Sequence, residues 1–304
     1  MNLFNSALYL YFESFFSFKS DFIPLKMNTE TNRFSNTLHE NQNKNWVRAI
    51  DSSKIITWID DLFKILFPEK ALETIQIELL LDQNKANFIA ILSEIVKDKT
   101  ANEILDDAES FYTGLPKLYD SMQKDAQAIL DTDPAADCIQ EIINSYPGFF
   151  AIEVYRIANA IASRTTCLLP RILTEYAHSK TGIDIHPSAT IDVPFMIDHG
   201  TGIVIGETTI IGKYVSIYQG VTLGALQVEK SMQEKKRHPT VEDHVIIYAN
   251  ATILGGSTII GNHSIVGGNT FITKSVNPYS FVMQSNKNTV LNQQEIKDIN
   301  FFSI

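Results

Sequence analysis

His199 and Asp184 are the residues of this chain whose types and spacing best suit proton transfer. His199 sits in IDHGTGIVIGE, among aliphatic residues rather than on a charged stretch, and Asp184 precedes it by 15 residues. A carboxylate on one imidazole nitrogen fixes the tautomer and leaves the other nitrogen available as a base. The same pair also suits a purely structural His–Asp contact, so both readings stand at this point. A second candidate is Arg237-His238-Pro239, which ends the densest basic cluster of the chain, Lys230, Lys235, Lys236, Arg237 and His238. Lys230 and Lys235 read as solvated loop lysines, whereas Arg237 and His238 stand where the regular pattern resumes, a better place for a site. His238 and His244 are six apart and raise a zinc site, but no third histidine accompanies them at a matching position, so no metal is expected. Asp133-Pro134 reads as a helix N-cap followed by proline in the first turn.

The element that must carry His199 is a repeat. Aliphatic residues recur every six positions: Ile185, Ile191, Ile197 and Ile203, then Ile205, Ile211, Ile217 and Leu223, then Val241 and Ile247, then Leu254, Ile260, Val266 and Ile272. Small or branched residues stand two positions earlier, among them Thr209, Val215, Val221, Val245, Thr252, Thr258, Ser264 and Thr270. Neither a helix nor a simple alternating strand has this period. Hexads build a parallel β-helix, expected to be left-handed, with one inward aliphatic side chain per face and three hexads, roughly 18 residues, per coil. Asp184 and His199 are then close to one coil apart and can stack about 4.8 Å from one another. Between Leu223 and Val241 the hexads break, and GALQVEKSMQEKKRHPT reads as a loop excursion.

Before the repeat the chemistry is supported by helices. From Ser52 to about Tyr176 apolar residues follow helical spacing: Ile55, Ile59, Leu62, Phe63 and Leu66, then Ile75, Leu79 and Leu80, then Phe88, Ile91, Leu92 and Ile95. These stripes read as helix-to-helix core or an oligomer contact. Pro68, Pro116, Pro134, Pro147 and Pro170 are each expected near a helix start or just past a stop. Twelve of the 14 glycines fall between Gly182 and Gly268, which marks the change of architecture. The fold class is therefore α+β: an extension over 1–51, an α-helical domain over 52–182, a β-helix over 183–283 and a tail over 284–304. The opening 26 residues lack a basic region, carry Glu13 and end in no A-x-A site, so they make a poor signal peptide. They read as a short amphipathic segment or as sequence upstream of a start at Met27 instead of Met1, and the polar run after Met27 reads as disordered. A net charge of −10, from 25 Lys+Arg and 35 Asp+Glu, excludes a backbone-phosphate binder, so no nucleic-acid partner is expected. Only Cys138 and Cys167 occur, so a disulfide framework is not expected and the cytoplasm is the expected compartment. With no uninterrupted run of 18 apolar residues, no membrane partner is expected.

The stretch DIHPSATIDVPFMIDHGTGIVIGETTIIGKYVSIYQGVTLGA, with RHPTV and ATILGG after it, closely resembles the serine O-acetyltransferases, hexapeptide-repeat acyltransferases of cysteine biosynthesis. The resemblance covers Asp133 to about Val282, half the chain. It implies that His199 is the general base that takes the proton of the L-serine hydroxyl, oriented by Asp184, so that the oxygen attacks the thioester of acetyl-CoA directly. Further implications are that Asp133 and Asp198 hold the serine ammonium and that Arg237 and His238 hold its carboxylate, with L-cysteine competing as a feedback inhibitor. Acetyl-CoA is implied to lie along backbone at Gly224, Ala225, Ala249 and Gly268, between neighbouring chains of a homotrimer or a dimer of trimers. The chain departs from the family at Gly224-Ala225, where Gly-Gly is frequent, at Asn159, where His is common, and in a longer loop after Ala225. The C-terminal Ile304 resembles the residue that family members insert into cysteine synthase. Two other readings are kept: an acetyltransferase of the same fold acting on a sugar or another hydroxyl, which has no need of Asp133 or Arg237-His238, and a non-catalytic cysteine synthase partner, which has no need of intact His199 and Asp184.

Overall fold

The computed structural model describes residues 29–43, 50–164, 168–226 and 235–285. Met1, Met27, Cys167, Lys230 and Ile304 lie outside the described residues. The chain divides into two compact units, Met1–Ile50 and Asp51–Ile304. Within the first, part of the polar run expected to be disordered is a helix, α1 (Thr29–Asn43), in which the hydroxyls of Ser35 and Thr37 donate to carbonyls one turn back.

The second unit begins with six helices. The Asp51 side chain accepts from Ser53 N–H at 3.0 Å and starts α2 (Ser52–Leu66). A Thr100/Glu103 capping box starts α4 (Ala101–Thr132), and between them runs α3 (Thr74–Ile95). Their core is aromatic, with Trp58 stacked on Phe88 at 4.7 Å and Phe111 beside both. Three expectations need correction here. Ile75, Leu79 and Leu80 stand 71%, 70% and 40% exposed, so this part of the stripe is not core within the chain. Pro116 lies inside α4 rather than at an end. Asp133 is the C-cap of α4 and not an N-cap, because the next helix, α5 (Ile139–Ser145), starts only after the turn that Asp133 itself stabilises. Pro147 and Pro170 do open α6 (Pro147–Ala162) and α7 (Leu169–Thr181), where a missing N–H costs nothing. Gly182, at φ 72°, ends α7 in the left-handed conformation.

From Asp184 the chain forms a parallel β-helix with three faces. Face one stacks β1 (Asp184–Ile185), β4 (Val204–Ile205), β7 (Thr222–Gly224), β10 (Thr252–Leu254) and β13 (Phe271–Ile272). Face two stacks β2 (Thr190–Ile191), β5 (Ile210–Ile211), β8 (Thr240–Val241) and β11 (Ile259–Ile260). Face three stacks β3 (Phe195–Asp198), β6 (Val215–Tyr218), β9 (Ile246–Ile247), β12 (Ile265–Val266) and β14 (Phe281–Val282). The hexad aliphatics fill the interior as expected, with one phase error. Ile253 and Ala251, not Leu254 and Thr252, are fully buried, and Ile253 pairs in register with Leu223 and Ile272. The extra residue is taken up at the Gly255-Gly256 corner, where Gly255 has φ 104°.

Helices and β-helix are joined by a buried ion pair. Arg156 on α6 donates to both oxygens of Asp125 on α4, whose Oδ1 also accepts from the Phe195 N–H of β3 at 2.8 Å. The same guanidinium reaches the carbonyls of Ile191 and Asp192 at 3.3 Å. Gly148 allows α6 to lie directly on β3, since a Cβ there would come within 2.2 Å of the Ile197 carbonyl oxygen.

Candidate active site

His199 owes its position to two extra residues. Register pairs Asp198 with Tyr218 and Val204 with Thr222, so five residues turn the first corner from face three to face one where three turn the next. The surplus places His199 at φ 55° and Gly200 at φ 90°, and the imidazole projects with its side chain 72% exposed. The left-handed backbone itself is shared with Tyr214, His244, Asn250, His263, Asn269 and Tyr279, so it belongs to the turns of the β-helix and does not single out His199. The same surplus lengthens the coil from the 18 residues of the next turn to 20, so Asp184 pairs with Val204, five residues past His199. Among the described residues no hydrogen bond or ion pair joins Asp184 to His199; Asp198 Oδ1 lies 3.8 Å from His199 Nδ1. Asp184 lies 3.6 Å from the Arg171 guanidinium on α7, which also pairs with Glu175. The Ile183 side chain nonetheless packs against Gly200, where an added Cβ would meet Ile183 Cδ1 at 2.5 Å.

Asp133 and Asp198 do meet. They line one cavity of about 280 Å³ together with Tyr146, Met196, Ser216 and Tyr218. Asp133 is held on both oxygens: Oδ1 accepts from the Ala135 N–H at 2.8 Å and Oδ2 from the Tyr146 hydroxyl at 2.7 Å. That hydrogen bond pushes the Tyr146 phenol up to about 12. Burial, then the Asp198 charge, raise Tyr218. Two carboxylates and two protonated phenols make a pocket for a small cation. Tyr146 and Tyr218 escape sequence reasoning because nothing in their spacing separates them from core aromatics.

Arg237 and His238 occupy a different edge, where face one turns into face two. Arg237 pairs with Glu207, and His238 is buried against Gly206, where a Cβ would come within 2.2 Å of Nε2. Burial first, and the neighbouring Arg237 charge second, bring the His238 imidazole down to about 4. The cofactor candidates divide in the same way. Gly224 and Ala225 lie on the Arg237 edge, while Ala249 and Gly268 lie on the His199 edge, stacked so that a Cβ on Gly268 would sit 3.0 Å from the Ala249 oxygen. Asn159, in place of a histidine, donates to the carbonyls of Pro187 at 2.8 Å and Ala189 at 3.1 Å, fastening α6 to the corner after β1. Glu175, His178 and Asp184 form the one group of metal-ligand type among the described residues, within 4.8 Å of one another, but Arg171 already pairs with both carboxylates.

No protein-family model matches the chain. A serine acetyltransferase of Synechococcus elongatus is 46% identical over 182 residues, 58% of this chain and 57% of that protein. The chain spans little more than half the length of the curated serine acetyltransferases it matches, 51% to 60% in other cases. Among solved structures, serine acetyltransferase 1 of Entamoeba histolytica in complex with L-cysteine is 33% identical, with a TM-score of 0.68, over 78% of this chain and 88% of that one. A serine acetyltransferase in complex with CoA is 28% identical, with a TM-score of 0.52, over 75% of this chain and 95% of that one. A cation pocket beside an exposed histidine at a lengthened coil corner, on a parallel β-helix that matches these proteins over most of their fold, places the chain: it belongs to the serine acetyltransferase family.

Proposed function

We propose that the protein transfers the acetyl group of acetyl-CoA to the hydroxyl of L-serine, giving O-acetyl-L-serine and CoA. The observation that carries this reading is the cavity in which Asp133 and Asp198 converge beside His199. An amino-acid ammonium seated between those carboxylates brings its side-chain hydroxyl to the His199 imidazole. His199 takes the hydroxyl proton as the oxygen forms its bond to the acetyl carbon. The C–S bond then breaks, and the departing thiolate receives that proton. Asp184 acts as the orienting carboxylate of His199 once it leaves Arg171. Arg237 and His238 take the substrate carboxylate, and L-cysteine, the ligand of the Entamoeba relative, competes at the same place. CoA lies along Gly224, Ala225, Ala249 and Gly268, where small residues let the pantetheine arm approach backbone. This reading assigns 52–182 as the helical domain and 183–283 as the catalytic β-helix, with the tail from 284 presenting Ile304 to cysteine synthase, in the cytoplasm.

Because the two halves of the site lie on different edges of one prism, they are completed by a neighbouring copy, as in a trimer or a dimer of trimers. The deciding measurement is thiol release from acetyl-CoA with L-serine, against L-homoserine, a galactoside and no acceptor. Serine-dependent release lost by on the order of 10²- to 10⁴-fold in His199→Ala is expected. Release only with a sugar overturns the serine reading, and undiminished release in the variant overturns His199 as the base.

A further inference from the structure

The ring of His238 is oriented by a single neighbour. Its Nδ1 lies 3.0 Å from the backbone nitrogen of Thr208 and 2.9 Å from the Thr208 hydroxyl. A backbone N–H can only donate, so Nδ1 is the accepting, unprotonated nitrogen and the ring proton resides on Nε2. The Thr208 hydroxyl is used to capacity. It accepts from the N–H of Arg237 at 2.9 Å and from the N–H of His238 at 3.1 Å, which leaves its own proton for Nδ1. Nε2 makes no hydrogen bond among the described residues, and it rests over Gly206, where any side chain would displace the ring. Lys236 closes the same corner from outside, its ammonium donating to the carbonyls of Thr208 at 2.7 Å, Pro239 at 3.0 Å and His238. The charged and titratable groups that face His238 are Arg237 and Lys236 on its own segment and Glu207 and His186 on the coils beneath.

We propose that Thr208 is a positioning residue that holds His238 as its neutral Nε2–H tautomer, making it an uncharged hydrogen-bond donor to the substrate carboxylate and not a second general base. The consequence for the substrate end rests on the serine acetyltransferase reading above; the tautomer itself does not. With Nδ1 occupied by Thr208 and Nε2 already carrying the proton, His238 has no nitrogen able to accept the hydroxyl proton. Proton abstraction therefore falls to His199 alone, and Arg237 supplies the charge that His238 lacks. Thr208 contributes in two separable ways: its backbone N–H sets the tautomer, and its hydroxyl sets where the Arg237-His238 segment stands.

The test combines ring nitrogen NMR of the full chain, labelled with ¹⁵N at histidine, with kinetics of Thr208→Val and Thr208→Ser. The unsubstituted chain is expected to show His238 with a bare Nδ1 and a protonated Nε2 at pH 7. Thr208→Val keeps the backbone N–H, so the tautomer persists, but the lost hydroxyl raises the KM for L-serine by about tenfold with kcat within about twofold and the KM for acetyl-CoA unchanged. Thr208→Ser restores the serine KM. A proton on Nδ1 in the unsubstituted chain overturns the proposal, as does a folded Thr208→Val with an unaltered serine KM. A chain that shows the expected tautomer but does not turn over L-serine refutes the substrate reading and leaves the tautomer standing.

Discussion

In the proposed reading, the Tyr146–Asp133 contact is the one on which recognition of an amino group depends most directly. The carboxylate is fixed by the Ala135 N–H on one side and the Tyr146 hydroxyl on the other, both below 3 Å, so it faces the cavity in one orientation before any ligand arrives. Removing the phenol oxygen leaves the carboxylate charged but free to rotate. Tyr146→Phe is expected to raise the KM for L-serine by about three- to tenfold, one hydrogen bond's worth, with little change in kcat. Initial-rate kinetics at saturating acetyl-CoA check this, and a fall in kcat without a change in KM counts against an anchoring role. His199 is legible as sequence because it sits inside an otherwise aliphatic repeat, where polar residues stand out, whereas Asp198 enters only through the family resemblance. Tyr146, Tyr218 and Thr208 are not legible, because a tyrosine after a helix or a threonine in a β corner is ordinary until a partner from another part of the chain faces it.

At the scale of elements, the junction of α4, α6 and β3 is the weak point of the architecture and its most specific one. Asp125 is fully buried, and Arg156 nearly so. Asp125→Ala leaves the buried guanidinium without its carboxylate, with only the Ile191 and Asp192 carbonyls remaining to it, and the Phe195 N–H without its acceptor, at an expected cost of about 3–5 kcal/mol, readable as a lowered urea midpoint. Glu153, one turn before Arg156 on α6, has both carboxyl oxygens buried without a hydrogen-bond partner among the described residues. Burial first, and the nearby Asp125 charge second, raise its pKa well above the usual carboxylate value. The unfolded chain therefore releases this proton near pH 4.3 while the folded chain retains it, so Glu153 takes stability away as pH rises above that value. Glu153→Gln is expected to gain stability at pH 8 relative to the parent and to lose that advantage by about pH 4, in urea titrations at both pH values. An unchanged difference across that range runs against a protonated Glu153. The hexads were readable because one aliphatic per six residues has no other use. Their one phase error, Leu254 for Ile253, arose because a corner can absorb an added residue at a left-handed glycine without disturbing the strands on either side.

For the whole molecule, the decisive feature is that Asp133, Asp198 and His199 sit on one edge of the prism and Arg237 and His238 on another. The proposed completion of the site by a second copy predicts complementation. Inactive His199→Ala and Arg237→Ala chains, unfolded together and reassembled, are expected to recover a fraction of parental activity, on the order of a quarter or less, that neither shows alone. No recovery in co-assembled material, verified by differently tagged chains, places both halves of the site within one copy. By itself the sequence determined the solenoid, the helical half before it, and the residue types of the site, because each rests on local period or on short contiguous motifs. Only the tertiary structure decided what those residues touch. Asp184 faces Arg171 on a helix before the repeat and pairs in register with Val204, Asp133 caps a helix instead of starting one, and burial with the neighbouring Arg237 charge lowers the His238 imidazole. Such outcomes depend on the exact register of stacked coils and on contacts across 13 to 30 residues of chain, where shifts of one or two residues exchange every partner and leave the hexad period intact.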